Sequence, residues 1–78
     1  MNTKQTNAIL AVTKAVVEAC DQPYPGAPGG VLYAALMSSG INLERFQQLM
    51  GTLERIRLVE KHGDCYMTTP TGRHFVTH

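Results

Sequence analysis

Tryptophan is absent from this chain, charged residues are sparse, and neither sign of charge dominates. Among the 78 residues, seven are Lys or Arg and six are Asp or Glu, which gives a formal net charge of +1. A strongly basic domain would favour nucleic acid as a partner, so this balance argues neither for nor against one. No window approaches the roughly 18 apolar residues of a membrane span, and we expect no membrane partner.

Cysteine is also scarce, because only Cys20 and Cys65 are present, far apart and in no CxxC arrangement. A secreted protein of this size usually carries more cysteines in a disulfide framework. We expect two reduced, half-buried thiols that act as small hydrophobic side chains; a disulfide or a redox switch is the alternative. The start MNTKQTNAIL has no long apolar segment of a signal peptide. The sequence therefore predicts a cytoplasmic protein of bacterial type.

Motifs for catalysis or cofactor binding are missing as well. The stretch GAPGG has no Lys-Ser/Thr pair after it and no strand before it, unlike a phosphate-binding loop. His74 and His78 are four residues apart, a spacing that suits zinc only when other ligands converge. No motif indicates a nucleophilic Ser or Cys paired with His. We expect no enzymatic activity, no metal and no cofactor.

The length allows one small domain, residues 1–78. Residues 3–20 predict a helix, since apolar side chains recur every three or four positions. Its wide apolar surface, rich in Val and Ala, suits either a dimer contact or a central core helix. Residues 21–30 hold three Pro and three Gly, which predict a loop that packs through Tyr24 and contains neither helix nor central strand.

Two further helices are predicted, at residues 30–39 and 43–56. The first has Leu32, Ala35 and Leu36 facing inward, and Gly40 gives it a left-handed stop. Asn42 is a good N-cap for the second. Its apolar positions follow a three-four pattern: Leu43, Phe46, Leu49, Met50, Leu53 and Ile56. Gly51, on its polar side, costs about 1 kcal/mol relative to Ala; it either lets another molecule approach or is simply tolerated.

The end of the chain predicts a β-hairpin at residues 57–68 and a last helix at 70–76. Two short extended runs flank His62 and Gly63, and the Gly supplies the positive φ that a tight hairpin needs. Thr69 and Pro70 are typical of the N-cap and first position of a helix. That helix would carry Phe75 and Val76 onto the core.

Three stretches resemble winged helix-turn-helix proteins. LMSSGIN (36–42) is similar to their turn into the recognition helix, and FQQLMGTLERIRLVEK (46–61) to that helix and its exit. YMTTPTGRHF (66–75) resembles the Tyr-x-x-Thr-x-x-Gly ending of the MarR, PadR and ArsR groups of bacterial regulators. The resemblance covers about residues 31–75. It implies a mainly α fold with a small antiparallel hairpin (α+β): a three-helix core, a wing and a short C-terminal helix.

Two residues depart from the family pattern. Leu36 stands where the pattern has Ala in the second helix, so the two helices should lie slightly farther apart. Arg57 stands where the pattern has Gly before Leu-Val, so we expect that the exit from the third helix is not left-handed. The effector-binding cysteine pairs of the ArsR group are absent.

The resemblance implies a transcriptional regulator that reads duplex DNA through its third helix. Arg pairs with guanine and Gln with adenine in the major groove, and Thr contacts phosphate or a thymine methyl. Lys61 and His62 at the wing tip suit a phosphate or shallow minor-groove contact. The predicted DNA contacts are Asn42, Arg45, Gln47, Gln48, Thr52, Arg55, Lys61 and His62.

Several carboxylates lie near these residues, and they favour a different partner: Glu44, Glu54, Glu60 and Asp64. The alternative is a winged-helix module that binds another protein and no DNA. A single domain brings only a few cations to DNA, and phosphate contacts supply most non-specific affinity. DNA binding therefore predicts a homodimer, with the helix at 3–20 as the contact.

Overall fold

The computed structural model describes the main chain of residues 3–77 and the side chains of residues 10–77. Within that range the fold is mixed α+β, with four helices and a three-stranded antiparallel sheet. Each helix ends within two residues of its predicted bounds. In chain order the elements are α1 (Thr3–Ala19), β1 (Ala27–Pro28), α2 (Gly29–Met37), α3 (Leu43–Arg55), β2 (Val59–His62), β3 (Cys65–Thr68) and α4 (Pro70–Thr77).

The sheet has the order β1-β3-β2. Strands β2 and β3 form the expected hairpin, in register from Val59 opposite Thr68 to His62 opposite Cys65. Gly63 in the turn has a φ of 63°. The prediction that residues 21–30 are all loop is wrong, because Ala27–Pro28 pairs with β3. This strand lies at the edge of the sheet, so the prediction of no central strand is not contradicted. Pro28 is tolerated there because β1 is an edge strand.

The apolar core lies between the helices and one side of the sheet. Leu36 and the α4 residues Phe75 and Val76 are half-buried against it. Ala35 was predicted to face inward, but it is exposed, since only one side of the short α2 meets the core. The buried apolar residues are Val16, Val17, Cys20, Ala27, Leu32, Phe46, Met50, Leu53, Leu58 and Val59.

The exit from α3 is left-handed, contrary to prediction. Arg57 has a φ of 66°. Its N–H donates to the Glu54 carbonyl at 3.1 Å, and the N–H of Leu58 donates to the Leu53 carbonyl at 2.9 Å. These two bonds define a Schellman ending, whose turn residue is usually Gly. The hydrogen bonds of the turn impose the left-handed conformation even though the residue carries a side chain.

Threonines join β3 to the helices. Thr68 donates its hydroxyl to the Val17 carbonyl of α1, and its N–H donates to the Cys20 carbonyl at 3.0 Å. The Thr69 hydroxyl accepts from the N–H of Gly72 at 3.0 Å, which caps α4 as predicted. These bonds fix the hairpin between α1 and α4.

Both cysteines are free; Cys20 is buried and Cys65 is half-buried. The loop before β1 leaves Tyr24 with 72% of its surface exposed. Its packing is a ring contact with His62 rather than insertion into the core. No helix in the described part of the chain is long and apolar enough to cross a membrane.

Candidate nucleic-acid interface

One side of α3 presents polar side chains to solvent along its whole length. Arg45, Gln48, Thr52 and Arg55 recur every three or four residues and are all exposed. The opposite side carries Phe46, Met50 and Leu53 into the core. The apolar pattern therefore determines which polar residues face outward. This outward row, which we call the α3 polar side, is open to a partner.

Local hydrogen bonds order parts of the α3 polar side. The side-chain oxygen of Asn42 accepts from the N–H of Arg45 at 2.8 Å and caps the helix. The Thr52 hydroxyl donates to the Gln48 carbonyl at 2.9 Å. Arg55 donates from Nη2 to the same hydroxyl at 3.3 Å. The Thr52 hydroxyl is thus engaged within its own helix, which leaves its methyl group as the contact that it offers.

The cations of this surface have no ion-pair partners in the part of the chain that the structure describes. Its two ion pairs there are His62 with Glu60, at 3.4 Å, and Arg73 with Asp21, at 3.1 Å. Carboxylates therefore neutralise neither the arginines of α3 nor Lys61 by direct contact. The positive charges of Arg45, Arg55 and Lys61 are therefore available to an anionic partner.

The hairpin brings two more predicted residues beside α3. Lys61 is exposed, with its Nζ 5.9 Å from the centre of the Tyr66 ring. His62 is half-buried, because the Tyr24 ring lies 4.9 Å from its own ring, tilted by 59°. His62 is therefore less available to a ligand than the sequence suggests, whereas Lys61 is fully available.

Between α3 and the hairpin run two open cavities of about 840 and 630 Å³. Both are lined by Gly51, Glu54 and Lys61, so they form adjacent parts of one trough. The predicted contact Gln47 is exposed and lines the smaller cavity rather than the α3 polar side. Gly51 has open space where a Cβ would stand, and the trough is wide at this point because no side chain fills it.

Carboxylates border the same surface. The four acidic residues named from the sequence are all exposed. Glu54 and Asp64 line the smaller cavity, and Glu54 and Glu60 line the larger one. The trough is consequently of mixed charge, whereas the α3 polar side carries two arginines, Arg45 and Arg55.

Sequence reasoning assigned no contact to Arg57, which is exposed and lines the larger cavity. The sequence shows a cation directly after α3, but only the positive φ shows that it stands in a turn position unfavourable to a side chain. Tyr66 was noted as part of a terminal motif, and its contact with Lys61 was not anticipated.

No group of three metal-ligating side chains occurs among the described residues. His78, half of the His pair considered for zinc, lies outside the described residues. Comparison of the chain with family models, curated proteins and solved structures finds no match.

Proposed function

We propose that this protein is a small winged-helix transcriptional regulator of bacterial type that binds duplex DNA through α3 as a homodimer. The observation that carries the proposal is the α3 polar side: an exposed row with two arginines that have no ion-pair partner among the described residues. The element order supports it, since a helix ending in a turn at Gly40 leads into α3, and a hairpin follows.

The reading mechanism follows from the position of α3. An α-helix fits the major groove, and residues of its N-terminal half reach base edges first. Asn42, Arg45 and Gln48 occupy that half, with Thr52 and Arg55 one to two turns later. Lys61 in the hairpin lies beside the helix for a phosphate contact, to which the half-buried His62 contributes less.

A homodimer is part of the proposal, because one copy offers few cations to DNA and salt competes strongly with each phosphate contact. α1 is the proposed contact. Among its described side chains, Leu10, Ala11, Ala15 and Ala19 are exposed, so an apolar surface stays uncovered in a single copy. A two-fold pair of α3 helices would read a palindrome.

Sedimentation at tens of micromolar tests this assembly. We expect a dimer for the wild type and a monomer for Ala15→Glu, since a carboxylate would be buried in the contact. Ala34→Glu is the matched control, because Ala34 is exposed on α2 and the charge change is the same. A wild-type monomer at these concentrations would remove the dimer and most of the support for DNA binding.

Fluorescence anisotropy with a labelled random-sequence duplex at low salt tests DNA binding itself. We expect salt-sensitive binding by the wild type. A random duplex offers no specific base pair, so the two arginines contribute here through charge. Arg45→Ala plus Arg55→Ala should therefore weaken binding and lower the slope of log affinity against log salt by up to about 1.8. Equal, salt-insensitive signals from both proteins would eliminate the proposal.

Arg73→Ala is the control and is compared with the single variant Arg45→Ala, since it removes one cation from α4, away from α3 and from the proposed dimer contact. We expect a much smaller loss of affinity for this variant. An equal loss from Arg45→Ala and Arg73→Ala would mean that net charge alone, and not the α3 polar side, determines binding.

The second candidate is a module that binds another protein. The near-neutral net charge and the four exposed carboxylates favour it. Leu43 and Ile56, at the two ends of α3, are 50% and 54% exposed, which gives this helix apolar contact surface as well. A protein partner whose binding is lost in Leu43→Ala plus Ile56→Ala and unaffected by salt would establish this function instead.

A further inference from the structure

Arg57 occupies a backbone conformation that disfavours any residue with a side chain. At a φ of 66° its Cβ is crowded by its own main chain, a cost that glycine avoids. Outliers of this kind that stay in a fold point to a role for the side chain. The hydrogen bonds of the turn account for its shape. Arg57 is exposed and makes no ion pair in the described structure, so no ion pair there explains why the turn residue is an arginine and not a glycine.

The exit from α2 provides an internal comparison. The N–H of Gly40 donates a hydrogen bond to the Met37 carbonyl, and the N–H of Ile41 donates one to the Leu36 carbonyl. This is the same pattern as at Arg57. The turn residue there is Gly40, at a φ of 86°. The chain thus uses glycine at one of two equivalent turns and a long cationic side chain at the other.

Arg57 lines the cavity of about 840 Å³ beside the hairpin. Arg55 and Lys61 line it too, so three basic residues line the space, against the carboxylates of Glu54 and Glu60. The Glu60 carboxylate lies 3.4 Å from the Nε2 of His62. The cavity is open, and Arg55 joins it to the α3 polar side.

We infer that this cavity receives a phosphate group, with Arg57 as its principal contact. A guanidinium presents several N–H donors in a planar fork that matches phosphate oxygens. The inference rests on the proposed function, under which the phosphate belongs to the DNA backbone flanking the bases that α3 reads. Arg57 would then fix the position of the duplex on the helix and carry no sequence preference.

Arg57→Gly separates the two effects of this residue. Removing the Cβ relieves the backbone, so the midpoint of thermal unfolding should rise above that of the wild type. Loss of one phosphate contact should lower the slope of log affinity against log salt by about 0.9 and weaken binding several-fold at low salt. Arg57→Lys keeps the charge, and we expect its slope to equal that of the wild type.

Anisotropy titrations of these proteins with random duplex over a salt series decide the matter. A lower slope in the more stable Arg57→Gly protein, with a normal slope for Arg57→Lys, supports the inference. Equal slopes in wild type and Arg57→Gly overturn it while leaving DNA binding through α3 intact.

Thermal unfolding in the presence of inorganic phosphate is the second experiment, with chloride at the same ionic strength as its control. If the wild type fails to bind duplex, the proposed function fails. A rise in melting temperature with phosphate that is absent in Arg57→Gly would then support a phosphate site for small ligands. No such rise, together with no duplex binding, overturns the inference as well.

Discussion

The side-chain hydroxyl of Thr69 donates a hydrogen bond to the main-chain carbonyl of Arg57, across the junction between α4 and the end of α3. The N–H of Thr69 also donates to the carbonyl of Leu58, the residue that follows Arg57, at 3.2 Å. The residue that caps α4 therefore holds the left-handed turn that ends α3. Because the hairpin lies between α3 and α4 in sequence, these two hydrogen bonds link its position to both helices.

Thr69→Val should destabilise the protein by about 2 kcal/mol. The substitution keeps the shape but leaves the Arg57 carbonyl and the Gly72 N–H without their partner, at a position that is only 7% exposed. Thr69→Ser retains the hydroxyl and loses only a methyl group, so it should be the more stable variant. Urea unfolding measures both; a valine variant as stable as the serine variant would show that these bonds contribute nothing.

Replacing two helical glycines by alanine should change the free energy of unfolding in opposite directions. A Cβ at Gly72 would stand 2.2 Å from the Leu58 carbonyl oxygen, whereas nothing lies within 4 Å of one at Gly51. Gly72→Ala should thus cost about 1–3 kcal/mol through overpacking, and Gly51→Ala should add about 1 kcal/mol through helix propensity. Thermal or urea unfolding of the pair checks this, and a stabilised Gly72→Ala would contradict the close approach.

The sequence predicts the helices and the hairpin well because their signals are local. The three-four pattern of α3 identifies Phe46, Met50 and Leu53 as buried, and the pattern alone therefore places Arg45 and Gln48 on the outside. The terminal Tyr-x-x-Thr-x-x-Gly pattern is also explained by the fold: Thr69 caps α4, and Gly72 lets α4 lie against the main chain of Leu58.

What the sequence did not predict depends on contacts between distant segments. Strand β1 forms because β3 offers it a free edge, although its two residues, Ala27 and Pro28, have no strand signal of their own. The turn at Arg57 is set by the hydrogen bonds of the helix end and by Thr69, which outweigh the preference for glycine. The tilted ring contact of Tyr24 with His62 likewise joins a loop to a hairpin nearly forty residues away.

The thiol of Cys20 should be inert in the native protein. Burial raises its pKa from 9.0 to about 11, and the thiolate is the reactive form. With Cys65 replaced by Ser, reaction with a thiol reagent at pH 8 should be at least ~100-fold slower natively than in denaturant, because two pKa units separate the thiolate fractions. The reverse variant, Cys20→Ala, retains only the half-buried Cys65, which should react faster in the native protein than Cys20 does. Equal native rates in the two variants would contradict the burial of Cys20.

The same pKa shift predicts a loss of stability at high pH. The unfolded thiol ionises from about pH 9, while the folded one keeps its proton until about pH 11. The unfolded state therefore binds fewer protons in this window, and stability falls as pH rises through it. The stability difference between the wild type and Cys20→Ala should shrink by at most about 2 kcal/mol between pH 9 and 11. A difference independent of pH would contradict the shift.

Asn42 allows the capping of α3 to be separated from DNA binding. Its side-chain oxygen accepts from the Arg45 N–H at 2.8 Å, and Asp serves this role as well while its charge suits a helix N-terminus. Asn42→Asp should therefore match or exceed the wild type in urea unfolding, whereas Asn42→Ala should lose about 1 kcal/mol. In anisotropy Asn42→Asp should bind duplex more weakly than the wild type, because the added carboxylate repels phosphate at the end of the helix that enters the groove first. An aspartate variant that binds duplex as tightly as the wild type would mean that the N-terminus of α3 does not approach DNA.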